Sequence, residues 1–127
     1  NKLRRLVITE ATGHLGVPYK WGGTTKKGFD CSGYTSYVMA KNGITIPRIA
    51  QDQSRIVTKI NTKKAQPGDL IFFGNGPKVT HVGIIISKPG EELSMIHASS
   101  SKGIMISNVE SSSYWKKRLL FMGSVIE

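Results

Sequence analysis

Residue 31 is the only cysteine of the chain and residues 81 and 97 are histidines, a set that could perform covalent acyl transfer. In such chemistry a sulfur attacks a carbonyl carbon and an imidazole takes and returns the proton. A third polar group fixes the tautomer and direction of that imidazole. Cys31 follows Asp30, and the stretch from Cys31 to Lys41 lacks proline and ends on Asn42-Gly43. Asp at the N-cap and Gly just past the last turn are the punctuation of a helix. The cysteine then lies in the first turn, where free backbone N–H groups and the helix dipole favour a thiolate. Ser32 and Gly33 are small enough to let a substrate backbone approach. Position alone also suits a cysteine that merely packs in the helix, so its partners decide.

His81 heads one apolar, β-branched strand and His97 lies within another, with the Pro89-Gly90 turn between them. The two are equidistant from residue 89, so a loop with an odd number of residues sets them directly opposite each other on adjacent strands. Opposed residues have Cβ atoms about 4.5–5.5 Å apart, close enough for one imidazole to orient the other. A register change of one residue would put them on opposite faces. His14 reads as a solvated residue at a helix end. Cys31 is then the nucleophile, His81 the base and His97 a neutral orienting group, with neither metal nor cofactor required.

Positioning these three requires a helix and an antiparallel sheet. Leu3, Leu6, Val7, Ala11 and Leu15 predict an amphipathic helix over about 3–15, and the Gly- and Pro-rich segment 16–28 reads as loop. After the Cys31 helix, Pro47 blocks its continuation and the remainder reads as strands. These are Leu70–Phe73 after the Pro67-Gly68-Asp69 turn, Val82–Ile86, Leu93–Ala98, Gly103–Ile106 and Leu119–Ile126. Helices followed by an antiparallel sheet define an α+β class, and no repeat or linker divides the 127 residues, so one domain over 1–127 is expected.

The formal net charge of +10 needs a partner. Its cations are dispersed as Arg4-Arg5, Lys26-Lys27, Lys63-Lys64 and Lys116-Lys117-Arg118, with no recognition helix or zinc-ligand spacing, so nucleic acid is not expected. An anionic wall polymer or membrane surface would attract the same charge. The opening Asn1-Lys2-Leu3-Arg4-Arg5 has neither an initiating Met nor a signal-peptide core. The chain reads as a processed or excised piece whose targeting segment is not in view.

Five blocks stand in order: Pro18-Tyr19-Lys20-Trp21-Gly22-Gly23, Asp30-Cys31-Ser32-Gly33, Pro67-Gly68-Asp69-Leu70, His81-Val82-Gly83-Ile84 and Ile96-His97-Ala98-Ser99. Together they resemble the NlpC-type cell-wall cysteine peptidases, across nearly the whole chain. The resemblance implies a reduced papain-like fold, with the nucleophile at a helix N-terminus packed on an antiparallel sheet. It implies hydrolysis of the bond from γ-D-glutamate to the diamino acid of peptidoglycan stem peptides, by Cys31, His81 and His97. It assigns Tyr19 an oxyanion-stabilising hydroxyl, a role that a fixed O–H donor can fill. Asp30 and Ser32 match positions that shape the substrate pocket, and Asp30 would bind a terminal amine, cap the helix, or both. Arg48 matches a basic residue of the substrate groove, although Ile49 stands where a small polar residue is common. Trp21 is either packing or a wall of the pocket.

The resemblance further implies a monomer of the bacterial envelope, periplasmic or secreted. Rival readings are an N-acetylmuramoyl-L-alanine amidase or an acyltransferase on the same Cys/His scaffold, or a wall-binding module without catalysis. Housekeeping enzyme and antibacterial toxin are not separated by these residues, nor is diaminopimelate from Lys at the cleaved bond.

Overall fold

In the computed structural model, which describes residues 1–126, Asn1 caps the first helix by accepting from the backbone N–H groups of Leu3 and Arg4. This helix, α1, spans Lys2–Thr12 and buries Val7 and Ala11. It stops short of the predicted Leu15, in a turn that leads to Gly16 at φ +89°. The segment read as loop contains a short antiparallel hairpin, β1 (Thr24–Thr25) and β2 (Gly28–Phe29). Next comes α2, Cys31–Lys41, with the predicted bounds: the Asp30 carboxylate accepts from the backbone N–H of Gly33 at 2.7 Å, and Gly43 takes φ +77°.

Pro47 does not end the helical part of the chain. A third helix, α3, covers Ala50–Ile56. Its buried residues are Ala50, Gln53 and Ser54, so it offers no apolar stripe to a periodicity argument. Gln53 is fully buried: its Oε1 accepts from the Thr35 hydroxyl at 2.8 Å, and its Nε2 donates to the carbonyls of Ser32 and Pro47. A polar side chain thus ties the Pro47-Arg48 loop to the first turns of α2. With both ends satisfied, it escapes the cost of a buried unpaired amide.

A six-stranded sheet completes the α+β architecture. After β3 (Thr58–Ile60) come β4 (Leu70–Asn75), β5 (Lys78–Ile85), β6 (Ser94–Ser99), β7 (Gly103–Asn108) and, behind the short helix α4 (Ser113–Arg118), β8 (Leu119–Ser124). The spatial order is β3-β8-β4-β5-β6-β7, all antiparallel. Leu70, Ile71, Phe72 and Phe73 are all fully buried because both faces of β4 are covered. Leu70 and Phe72 join Val82, Ile84 and Ile96 under α1 and α2, while Ile71 and Phe73 join Ile85, Met95 and Met122 on the other face. The Pro67-Gly68-Asp69 turn does more than start β4. The Arg4 side chain reaches from α1 to the Pro67 carbonyl and to the buried Asp69 carboxylate at 2.7 Å, docking α1 against the sheet.

Gly33 has a different purpose from the one its size suggested. A Cβ there would overlap the carbonyl oxygen of Gly23 and crowd the Asp30 carboxylate. The hairpin backbone, not substrate, fills that space. Gly33→Ala is therefore expected to destabilise by about 3 kcal/mol or more, the upper end of overpacking costs, since rigid backbone must move. A thermal unfolding midpoint within a degree or two of wild type would contradict this packing.

Candidate active site

Cys31 opens α2 half-buried, and its sulfur lies against the backbone N–H of Val82, one residue from His81 on β5. Burial pushes the thiol up. The Val82 N–H opposes that rise, Asp30 adds to it, and the N–H groups of Ser32 and Cys31 oppose it more weakly. The helix terminus is outweighed, and the cysteine's own surroundings favour the neutral thiol over the thiolate expected from its position.

His81 and His97 meet, but not by direct opposition. The β5–β6 register pairs Ile84 with Ile96, so the turn centres on residue 90 rather than 89 and His97 lies beside Gly83. A shift of two residues preserves parity, so both histidines keep one face, as diagonal neighbours. A Cβ at Gly83 would sit 3.2 Å from the Cβ of His97. Its absence gives the His81 ring room to lean across, and His81 Nε2 comes to 2.9 Å from His97 Nδ1. His97 Nε2 in turn lies 2.9 Å from the hydroxyl of Ser107 on β7.

This chain of contacts has only two consistent proton arrangements. If Ser107 Oγ accepts from His97 Nε2–H, then His97 Nδ1 accepts from His81 Nε2–H, and His81 Nδ1 is left with a free lone pair. If Ser107 donates instead, every proton moves along by one and His81 Nδ1 carries hydrogen. Only the first arrangement leaves a base for a thiol.

Trp115 of α4 covers the pair. Its ring stacks on His81 with centroids 4.9 Å apart and 26° between planes, and meets His97 edge-on at 5.1 Å. Phe73 stands opposite His81 in the β4–β5 register, 6.0 Å away. Burial, and secondarily the neighbouring His97, pull His81 down to about 3, and burial pulls His97 down to about 4. Both imidazoles are neutral at ordinary pH. Neither Ser107 nor Trp115 was singled out from the sequence. Six residues of α4 with two aromatics show no period, although Ser112, which caps the backbone N–H of Trp115, is a readable helix start.

The depressed histidines link folding to acid. Below about pH 6.5 the unfolded chain protonates both rings, whereas the folded chain refuses them until about pH 4 and 3. Stability should fall as pH drops through that window, by up to about 1.4 kcal/mol per pH unit for each uncompensated proton. In urea titrations from pH 7 to 4, His97→Ala is expected to flatten the decline. An unchanged slope would show that His97 is already charged in the fold.

The other sequence candidates divide into two groups. Tyr19 lines the same cavity of about 380 Å³ as Cys31 and His81. Burial, then the charges of Cys31 and Asp30, raise its phenol, which keeps the hydroxyl a donor. Asp30, Ser32 and Arg48 form a cluster beside α2. Arg48 gives Asp30 two hydrogen bonds of 2.8 and 3.1 Å and donates to the Ser32 hydroxyl at 2.9 Å. The Asp30 carboxylate is thus both helix cap and arginine partner, and an incoming amine would share it with Arg48. Trp21 is 89% exposed at the hairpin and does not line the cavity, so it provides neither core packing nor a wall there. His14, expected to be solvated, is 6% exposed, with its Nε2 2.6 Å from Glu10 and its ring edge-on to Phe29 and Tyr37. It belongs to the core. Among the described residues, no group of three or more His, Cys, Asp or Glu is placed to hold a metal ion.

The NlpC/P60 family model matches residues 16–124. A protein named "Probable endopeptidase p60" from Listeria seeligeri is 44% identical over 119 residues, covering 94% of this chain and 22% of its own length. A bifunctional muramidase/DL-endopeptidase of Bacillus subtilis is 41% identical over 123 residues, covering 94% of this chain and 36% of its own. The chain therefore spans well under half of these relatives. A crystal structure of a Staphylococcus aureus protein described as similar to lipoprotein, NLP/P60 family, superposes with a TM-score of 0.86 at 36% identity. That match covers all of this chain and 42% of the other.

Proposed function

The chain belongs to the NlpC/P60 family, and from that membership we propose that it is a peptidoglycan hydrolase, a cysteine endopeptidase that cuts the γ-D-glutamyl–diamino acid bond of stem peptides. The observation that carries this reading is a half-buried thiol sharing one cavity with an imidazole whose far nitrogen is held through His97 to Ser107.

In the proposed mechanism, His81 Nδ1 takes the Cys31 proton as sulfur attacks the γ-carbonyl carbon. The oxyanion that forms is met by backbone N–H groups at the start of α2 and by the Tyr19 hydroxyl. His81 returns the proton to the departing amine, leaving a thioester. Water, deprotonated by His81, then releases the acid and restores the thiol. A neutral thiol beside a neutral imidazole suits this sequence, because the proton moves only as the bond forms. The acyl side of the substrate would lie along α2, where Asp30, Ser32 and Arg48 can shape its path. The +10 charge fits an anionic wall, and the work site would be the bacterial envelope, outside the membrane.

The test is a digest of purified peptidoglycan, of both diaminopimelate and Lys type, read by mass spectrometry. Fragments ending in γ-D-glutamate together with freed diamino-acid amines are expected. Cleavage between muramic acid and L-Ala would point to the amidase instead. Binding without any cleavage would leave the wall-binding module.

A further inference from the structure

The proposed cleavage leaves the identity of the departing diamino acid open, and the cavity wall beyond His81 bears on it. That wall carries hydroxyls from Thr80, Ser99, Ser100 and Ser101, and a single formally charged side chain, Arg118 at the end of α4. The two arginines near the cleft differ in their commitments. Arg48 is neutralised by Asp30. Arg118 has no carboxylate within ion-pairing distance among the described residues. It is nonetheless held in place: its guanidinium lies 3.7 Å from the centroid of the Tyr114 ring, and Nη1 donates to the Tyr114 carbonyl at 2.9 Å. The other N–H groups of the fork remain for a ligand. An exposed guanidinium without a carboxylate partner, braced on Tyr114 at the edge of the cavity, can receive a carboxylate.

The side of the cavity selects which carboxylate. The departing amine receives its proton from His81, so the residue that bears it lies on the His81 side, where Trp115, Tyr114 and Arg118 follow one another along α4. The Asp30–Arg48 cluster lies on the Cys31 and Tyr19 side and is not part of the lining of this cavity. Of the diamino acids found at that position, diaminopimelate ends its side chain in a carboxylate and Lys does not. Lys116 and Lys117, beside Arg118, add positive potential that favours the carboxylate further. Resting on the hydrolase reading above, we propose that Arg118 binds the side-chain carboxylate of the leaving residue and makes this domain selective for diaminopimelate-type stem peptides over Lys-type ones.

Three soluble peptides test this, each with its stem-continuing carboxyl amidated: L-Ala-γ-D-Glu-diaminopimelate, L-Ala-γ-D-Glu-Lys, and L-Ala-γ-D-isoglutamine-diaminopimelate. Wild type should favour both diaminopimelate peptides over the Lys peptide by about tenfold or more in kcat/KM. Arg118→Gln should lower kcat/KM on the diaminopimelate peptides roughly ten- to hundredfold, and by less than about threefold on the Lys peptide, whose rate also controls for folding. Arg118→Lys should fall between, keeping charge but losing the fork. Equal losses on all three peptides, or none, would overturn the proposal. So would a loss that follows D-glutamate against D-isoglutamine, because Arg118 would then read the acyl side. If wild type cleaves none of the three, the hydrolase reading itself falls.

Discussion

Replacing Cys31 by Ala is expected to lower stem-peptide hydrolysis by at least about 10⁴-fold, to the level that binding and oxyanion contacts alone supply. No other cysteine exists to take over, and His81 cannot by itself form the acyl intermediate. The fold should survive. The side chain is only half-buried at the edge of the core, Ala keeps its Cβ there, and the cap on α2 comes from Asp30. Chromatography of released muropeptides alongside a thermal melt separates the two effects. Turnover within tenfold of wild type would remove Cys31 from the chemistry.

His81→Ala should cost about 10²–10⁴-fold, the usual range for a general acid–base group. Added to Cys31→Ala it should cost nothing further, since the two act as a unit. His97→Ala should cost about 10–100-fold, as expected of a group that orients another. Its effect should fall on kcat more than on KM, because His97 touches the base and not the substrate. Ser107→Ala removes the hydroxyl that accepts from His97 in the productive proton arrangement and should produce a smaller loss of the same kind. A loss from His97→Ala as large as that from His81→Ala would mean that the proton travels through both rings.

How much of this was legible beforehand depended on whether the signal was local. The bounds of α2 follow from Asp30 and from Asn42-Gly43, residues that act on the backbone within a turn of themselves. The shared face of His81 and His97 was readable because parity survives a two-residue error in register, while their diagonal placement was not. Helix α3 was invisible because its buried face is Ala50, Gln53 and Ser54, and Gln53 is held by bonds to α2 that only tertiary structure reveals. The same holds for Ser107 on β7 and Trp115 on α4, whose approach to the histidines is set by tertiary structure. Gly33 was recognised as special for the wrong reason, since a neighbouring backbone can claim space as readily as a ligand can.

The place of β8 in the sheet has a consequence for how such a domain is made. Residues Leu119–Ser124 lie between β3 and β4, and Trp115 arrives just ahead of them. While the chain is still being synthesised, β3 has no neighbour and β4 has one bare edge. Over the same interval the His81–His97 pair lacks its aromatic cover. Long-range pairing of this kind closes late, because the intervening loop entropy must be overcome first. A solvated imidazole would titrate near its ordinary value, and the cavity would be missing the wall that carries Arg118. The candidate site thus assembles only when the last tenth of these residues has emerged, so a partly made chain lacks the geometry proposed for cutting.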